Sequence, residues 1–321
     1  MKEYGGYLEF ETFNGNMFHK NALALNTGRN ALLYLIIKRK IKIIYLPYFL
    51  CDSVKEICKK NNIVLHFYHI DKNFYPQDIC LKENEWIYIV NFYGQVSNKI
   101  LQKLVNKYKN VIIDNSQAYF QKPLDDIDTI YTCRKYFGVP DGAFLYTNIE
   151  KNISLDQDIS YNRMLHLTGR FECGASMFYE KFHESENVLS QEPIKKMSKL
   201  TENLLHGIDY QTVQKKRTDN YDYLCKALGE INGLNVQKTK GAYMYPLLVE
   251  NATSIRNKLL DFKIYIPLLW PNVLVETKKE WLEWKLAQNI LPLPVDQRYN
   301  NSDMEYISEL VKKIVGEYNY R

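Results

Sequence analysis

Short β-branched runs alternate with stretches of helical character through the first half of the chain. No other feature constrains the fold as much. "IKIIYLP", stopped by Pro47, "IVLHFYHID", "EWIYIVNFYG" and "VIIDNSQ" read as strands. "NALLYLIIKRK" (Asn30–Lys40), "CDSVKEICKKNN" and "SNKILQKLVNKYKN" carry their apolar residues at helical spacing. "NTGR" supplies a turn and cap before the first helix, and Asp52 or Ser53 is the expected cap of the second. Strands separated by helices of this length predict a mostly parallel sheet covered on both faces. The pattern changes near residue 150, and residues 155–225 read as helical with polar faces. "AYMYPLLVE", "ATSIRNKLLDFKI", "NILPLPVDQ" and "SDMEYISELVKKIVGEY" then read as strand, helix, strand, helix. The expected division is a large domain over 1–225 and a small α/β domain over 226–321.

Bulk properties exclude several classes. With 321 residues, 46% hydrophobic and 25% charged, the chain is of an ordinary globular kind with ample core. The net charge of +5 contains no run of five like charges, so nucleic acid is not an expected partner. "MKEYGGYLEF" lacks the apolar centre of a signal peptide. No window approaches the roughly 18 apolar residues of a membrane span, so no membrane association is expected. Six cysteines form no CxxC pair and do not cluster with histidine; reduced thiols, a cytoplasmic location and no metal site are expected. His19, His66, His69, His166, His183 and His206 form no motif and read as structural or surface residues.

Candidate chemistry gathers at three places. "VIIDNSQAYF" closes a buried strand on Asp114 and sets Gln117 just beyond it. A buried carboxylate requires a cation or several donors; a cap on a following helix is the structural alternative. "TCRKYFGVPDGAFLY" places Lys135 before Gly138 and an Asp–Gly turn, flanked by Tyr136, Phe137 and Val139. In an apolar pocket a lysine loses its proton more readily and attacks a carbonyl to form a Schiff base. In "LALNTGRNALLYL" the turn at Thr27 and Gly28 runs into a helix whose free N–H groups suit a phosphate, with Thr27, Arg29 and Asn30 at hand; a plain helix cap is the bland reading. A lysine, a carboxylate and a helix N-terminus in one site match the needs of pyridoxal 5′-phosphate. Lys135 would hold the aldehyde carbon, Asp114 the ring nitrogen, Gln117 the phenolic oxygen and the helix end the phosphate.

These motifs resemble the DegT–DnrJ–StrS family of aminotransferases. Its "D-x-A-Q" resembles "DNSQ" (Asp114–Gln117), its lysine motif "KYFGVPDG", its "GT-x-AL" loop "TGRNAL", and its "HLYGQ" the segment "NFYGQ" (Asn91–Gln95). "LPLPVDQRYNNSDMEYI" is similar to the family's closing segment. The resemblance implies the pyridoxal-phosphate transferase fold of type I, aspartate aminotransferase-like, with a large mixed, mostly parallel sheet and a small C-terminal α/β domain. It also implies a homodimer and transfer of an amino group, from glutamate or another amino acid, to a keto acceptor. That acceptor would be a nucleotide-linked keto-deoxy sugar of surface polysaccharide synthesis, and the small-molecule donor and acceptor are the expected partners. Thr132 would donate to the phosphate, and Phe49 or Cys51 would cover the ring. Asn91, Tyr93 and Arg163 would face the substrate, with Arg170 and Arg217 as further candidate cations for a diphosphate; solvated helix faces are the alternative for each of the three arginines. Departures are Asn91 where histidine is usual and Arg134 where a small residue is usual. Rival readings are an idle binding or scaffolding protein of the same fold, and an enzyme with the same cofactor acting on a smaller keto compound. Lys135 argues against the dehydratases of the family, which carry histidine there.

Overall fold

The computed structural model describes residues 4–77, 79–150 and 154–319. One seven-stranded sheet holds β1 (Leu23–Leu25), β2 (Ile43–Pro47), β3 (Val64–Tyr68), β4 (Trp86–Val90), β5 (Val111–Asp114), β6 (Asp128–Thr132) and β7 (Ala143–Tyr146). Their order is β1-β7-β6-β5-β4-β2-β3. Strands β3, β2, β4, β5 and β6 run parallel, and β7 is antiparallel to both neighbours. Every residue of β5 is buried, as a strand covered on both faces must be. Three helices cross between strands: α1 (Gly28–Lys38), α2 (Asp52–Lys60) and α3 (Asn98–Tyr108). Helix α1 starts two residues before its expected beginning, because Thr27 accepts the Asn30 N–H and caps it. Cys51 takes the cap position of α2 without a side-chain bond, so neither Asp52 nor Ser53 is the cap.

The middle region is helical as expected, with α4 (Leu165–Cys173), α5 (Tyr179–Gln191), α6 (Lys199–His206) and α7 (Tyr210–Leu228). Ser198 and Asp209 cap α6 and α7. The last part holds β8 (Met244–Leu248), α8 (Ala252–Asp261), α9 (Pro271–Glu276), α10 (Leu282–Asn289), β9 (Ile290–Pro294) and α11 (Asn301–Asn319). Strands β8 and β9 form an antiparallel pair in which Pro246 faces Pro292 and Met244 faces Pro294. Proline donates no ladder bond, so these strands pair only with each other and remain two edges.

An expected division at residue 225 falls inside α7. The helix begins on the aromatic cluster of Tyr119, Tyr131, Tyr136, Phe137 and Phe144, to which Tyr210 and Val213 belong. It ends in the C-terminal core, where Tyr221, Leu224 and Leu228 pack with Tyr245, Leu291 and Val311. A single helix therefore ties the two cores, and its sequence carries no break to mark the change.

Candidate active site

Strands β5 and β6 lie side by side in parallel, with Asp114 opposite Ile130, so Asp114 and Thr132 both end strands on the same side of the sheet. Loops converge there in open α/β sheets. The Asp114 carboxylate is buried and accepts the Ser116 N–H at 2.7 Å and the Tyr88 hydroxyl at 2.8 Å. Burial, and then the neighbouring carboxylate, hold the Tyr88 phenol well above its ordinary pKa, so it stays a donor. Turns rather than a helix follow Asp114, and the helix-cap alternative is not realised.

Lys135 lies in the turn after β6. Its Nζ donates to Ser116 Oγ at 2.8 Å and sits 5.8 Å from the centre of the Tyr243 ring. One expectation needs correction: the lysine is exposed in the single chain, not desolvated. Its neighbours Tyr136, Phe137 and Val139 are buried, but they fill the aromatic cluster beneath it rather than wall a pocket around it. Alternation along the turn sends the apolar side chains inward and the amine outward. Arg134 makes an ion pair with Glu186 of α5, which accounts for a long cation where a small residue was expected. The carbonyl of Tyr136 accepts from Arg217 Nη2 at 3.1 Å and Gln297 Nε2 at 2.9 Å, so the backbone beside Lys135 is fixed from α7 and the C-terminal region.

The Asp–Gly turn behind the lysine is structural. Asp141, fully buried, accepts from Ser198 N–H and Oγ at 2.8 and 2.7 Å and from the Thr201 hydroxyl, joining the turn to the start of α6. Gly142 has φ +113°, and its N–H donates to Asn26 O at 2.6 Å, tying the same turn to the loop before α1. A Cβ on Gly28 would stand 2.6 Å from Thr132 Cγ2; glycine there lets the first turn of α1 abut the end of β6.

Gln117 is buried, and its Oε1 accepts the Tyr93 N–H at 2.7 Å. That bond fixes the amide and leaves Nε2 with no protein partner among the described residues. Tyr93 adopts φ +55° in the 3-10 turn Phe92–Gly94, and its buried ring packs on Phe74 and Trp270, so its backbone supports Gln117 rather than its ring contacting a substrate. Asn91 is also corrected. It is fully buried, donates to Asn115 Oδ1 and Gln121 Oε1 at 3.0 Å each, and accepts the Val96 N–H at 2.8 Å. Its amide braces the loop.

At the helix end, Thr27 Oγ1 accepts from the Asn30 backbone and keeps its own proton to donate. The Asn30 side chain donates to Asn26 Oδ1, Glu192 O and Pro193 O at 2.9, 3.0 and 2.8 Å, which removes it from the expected phosphate donors. Arg29 is half-buried without an ion pair among the described residues; burial lowers its pKa, opposed by Cys51 and Glu56 nearby. Phe49 is buried against Phe74, Phe92 and Trp270 and belongs to the core. Cys51 is half-buried and close enough to Arg29 and Tyr88 to perturb both, so of the two ring-face candidates it is the one on the site's side.

The expected cations separate. Arg163 is buried and donates to Asp158 at 2.6 Å, with Glu192 at 3.8 Å. Arg217 is buried, with Nε on Gln297 Oε1 at 2.7 Å and Nη1 on Ala242 O at 3.0 Å. Neither is free for a substrate. Arg170 is exposed near Tyr299. A cavity of about 440 Å³ lies elsewhere, at the β3 edge between His69, Lys72, Trp281 and Glu283. Ser116, Tyr88 and Tyr243 escaped sequence reasoning. Ser116 had a signal, a hydroxyl inside "DNSQ"; Tyr88 and Tyr243 had none, since only the fold brings them here.

No family model matches the sequence, and no curated protein matches it. Solved structures do. A DegT DnrJ EryC1 StrS aminotransferase from Brucella abortus aligns with a TM-score of 0.60 and 15% identity over 92% of this chain and 86% of its own. NtdA of Bacillus subtilis, with bound cofactor PMP, gives 0.66 and 14% over 95% and 78%. DesI in the presence of its TDP-sugar product gives 0.64 and 11% over 92% and 80%. The chain therefore has the fold of these aminotransferases, the expected type I fold with a mixed, mostly parallel sheet.

Proposed function

We propose that this chain is a pyridoxal-phosphate-dependent aminotransferase acting on a sugar. The observation that carries the reading is the meeting of Lys135, Asp114, Gln117, Thr132 and the start of α1 at the ends of β5 and β6, in a fold shared with aminotransferases. The residues fit the cofactor on three counts. Arg29 is a half-buried cation with no ion pair among the described residues, beside the Thr27 hydroxyl and the Gly28 and Arg29 N–H groups that α1 leaves unpaired at its first turn. Gln117 Nε2 is an oriented donor without a protein partner among the described residues. Asp114 is a buried carboxylate held by two neutral donors, with no ion pair among the described residues.

When bound, the cofactor supplies an electron sink for the carbanion at the amino carbon. Asp114 holds a proton at the ring nitrogen, and Tyr88 and Ser116 N–H keep that carboxylate in place. Gln117 Nε2 donates to the phenolic oxygen. Thr27, Arg29 and the α1 terminus bind the phosphate, with Thr132 alongside. The Lys135 amine would hold the cofactor through its aldehyde carbon and would serve as the base that carries the proton between carbons.

We extend the reading to glutamate as amino donor and a nucleotide-linked keto sugar as acceptor; DesI, similar in structure, was seen with its TDP-sugar product. We place the activity in the cytoplasm, where the six free thiols remain reduced. We assign a homodimer as the working form. Leu165 and Phe171 of α4 and Tyr179 and Val188 of α5 are exposed on adjacent helices, a large apolar surface for a lone chain.

Purified protein mixed with pyridoxal phosphate is expected to absorb in the visible range, and borohydride followed by peptide mapping to mark Lys135. Label on another lysine would overturn the assignment. A protein that stays colourless would be left with a binding or scaffolding role.

A further inference from the structure

We propose that the Ser116 hydroxyl holds the Lys135 amine in line for proton transfer, making Ser116 a positioning residue of the reaction; the role in turnover rests on the cofactor reading above. Ser116 touches three parts of the site at once. Its N–H donates to Asp114 Oδ1 at 2.7 Å, its Oγ accepts from Lys135 Nζ at 2.8 Å, and its carbonyl lies 3.5 Å from Thr132 Oγ1. Ser116 is buried, whereas Lys135 is exposed. A lysine on an open surface samples many rotamers, and a base must present its lone pair in one direction to be useful. One hydrogen bond to a rigid, buried hydroxyl restricts that freedom, and bonds to a charged group are worth more than neutral ones. Tyr243, at 5.8 Å from Nζ, bounds the amine on another side.

The proton accounting is simple. The C–H bond of the amino donor breaks, its electron pair stays with the substrate and cofactor, and the proton joins the Nζ lone pair. The ammonium so formed directs one N–H at Ser116 Oγ, the bond seen in the structure. Its remaining protons stay free to be delivered to the second carbon, after which Nζ is neutral again. In the resembling motif "D-x-A-Q" this position carries alanine, so the hydroxyl is a choice of this chain.

Ser116→Ala tests the inference cleanly, because the bond to Asp114 comes from the backbone and survives. The first readout needs no cofactor. Lys135 in the cofactor-free protein is labelled with an amine-reactive acylating reagent and followed by mass spectrometry against the other lysines. Loss of the restraint should raise its labelling rate about threefold in Ser116→Ala and leave the others unchanged. The second readout uses cofactor-loaded protein with glutamate in single turnover. Bleaching of the visible band should slow about tenfold, with the half-saturating glutamate concentration unchanged and a larger isotope effect from α-deuterated glutamate. Equal labelling overturns the contact. Altered labelling with bleaching within twofold of the parent overturns the role in proton transfer. If the parent chain never takes up cofactor, the function proposed above fails and takes the turnover role with it, while labelling still decides the contact.

Discussion

The segment from Asp114 to Lys135 and the helices from α4 to α7 use charged side chains in opposite ways. In the first, Asp114, Gln117 and Lys135 are each oriented by neutral partners, and neither Asp114 nor Lys135 has an ion pair among the described residues. In the second, Arg163 and Arg217 are satisfied inside the protein, one by carboxylates and the other by carbonyls. A motif residue held by its own turn can be read from sequence. A helical arginine cannot, because its partners come from distant segments and decide whether it serves the substrate or the fold. The clearest way to break this comparison is Asp114→Asn. It keeps the shape and the bond from the Ser116 N–H at the one remaining oxygen, gives up the acceptor that Tyr88 uses, and cannot keep a proton on a ring nitrogen. Transamination is expected to fall by about a thousandfold, roughly 4 kcal/mol of barrier, while the circular dichroism spectrum is unchanged. Near-normal turnover would make the carboxylate a structural group like Asp141.

The next largest effect is expected at Arg217, and on stability rather than chemistry. Arg217→Met removes the donors to Ala242 O and Tyr136 O across the junction of α7 with both cores. It also removes the guanidinium stacked 4.6 Å from the Tyr136 ring centre. The Tyr136 carbonyl keeps its bond from Gln297, but the Ala242 carbonyl and Gln297 Oε1 each lose a donor, at about 1–3 kcal/mol for a buried acceptor left unpaired, against some relief from no longer burying a charge. We expect a net loss of about 3 kcal/mol, read from urea midpoints. A midpoint within error of the parent would mean that the junction is held by its apolar contacts alone.

How much was legible follows the same contrast. The parallel strands, the crossover helices, and the placing of Asp114 at a strand end with Lys135 in the turn after the next strand were all readable, since each depends on spacing over a few turns of chain. Thr27 as a cap was readable, but the commitment of Asn30 to Glu192 and Pro193 was not, because those residues arrive from 160 positions away. Asn91 looked like a substrate contact from its motif, yet its amide is shared among Asn115, Gln121 and Val96. The burial of Lys135 was misjudged for a different reason: a run of apolar neighbours reports what lies under a turn, not what covers it.

His19 sharpens the comparison from the acid side. It read as structural and is buried, with Nε2 bonded to Tyr119 O at 2.9 Å and Nδ1 3.1 Å from the Tyr146 hydroxyl. Burial holds its pKa down, from 6.5 to about 3. The unfolded chain therefore gains a proton as pH falls through the ordinary histidine range, and the folded chain does not until about 3. Stability contributed by this group is intact above the ordinary value and falls on acidification by about 1.4 kcal/mol per pH unit across that window. His19→Gln should remove that slope between about pH 6 and 4 in denaturation experiments. An unchanged slope would show that other groups govern acid sensitivity.

The smallest expected effect tests Arg170, the one exposed residue among the candidate cations Arg163, Arg170 and Arg217. Arg170 lies close enough to Tyr299 to oppose the upward pull of burial and Asp296 on that phenol. Tyr299 follows Gln297, whose amide bonds the Tyr136 carbonyl next to Lys135. This short path connects Arg170 to the lysine's surroundings, whereas Arg163 and Arg217 are closed off by their partners. Arg170→Ala should leave stability within about 0.5 kcal/mol, as an exposed substitution does. An exposed cation meeting a diphosphate contributes modestly and is screened by salt. The half-saturating concentration of a nucleotide-linked acceptor should therefore rise about threefold at low salt, and less at high salt, with that of glutamate unchanged. No change at any salt concentration would remove the last of these three candidates as a diphosphate contact. A smaller, uncharged keto acceptor would then suit the cleft better than a nucleotide-linked sugar.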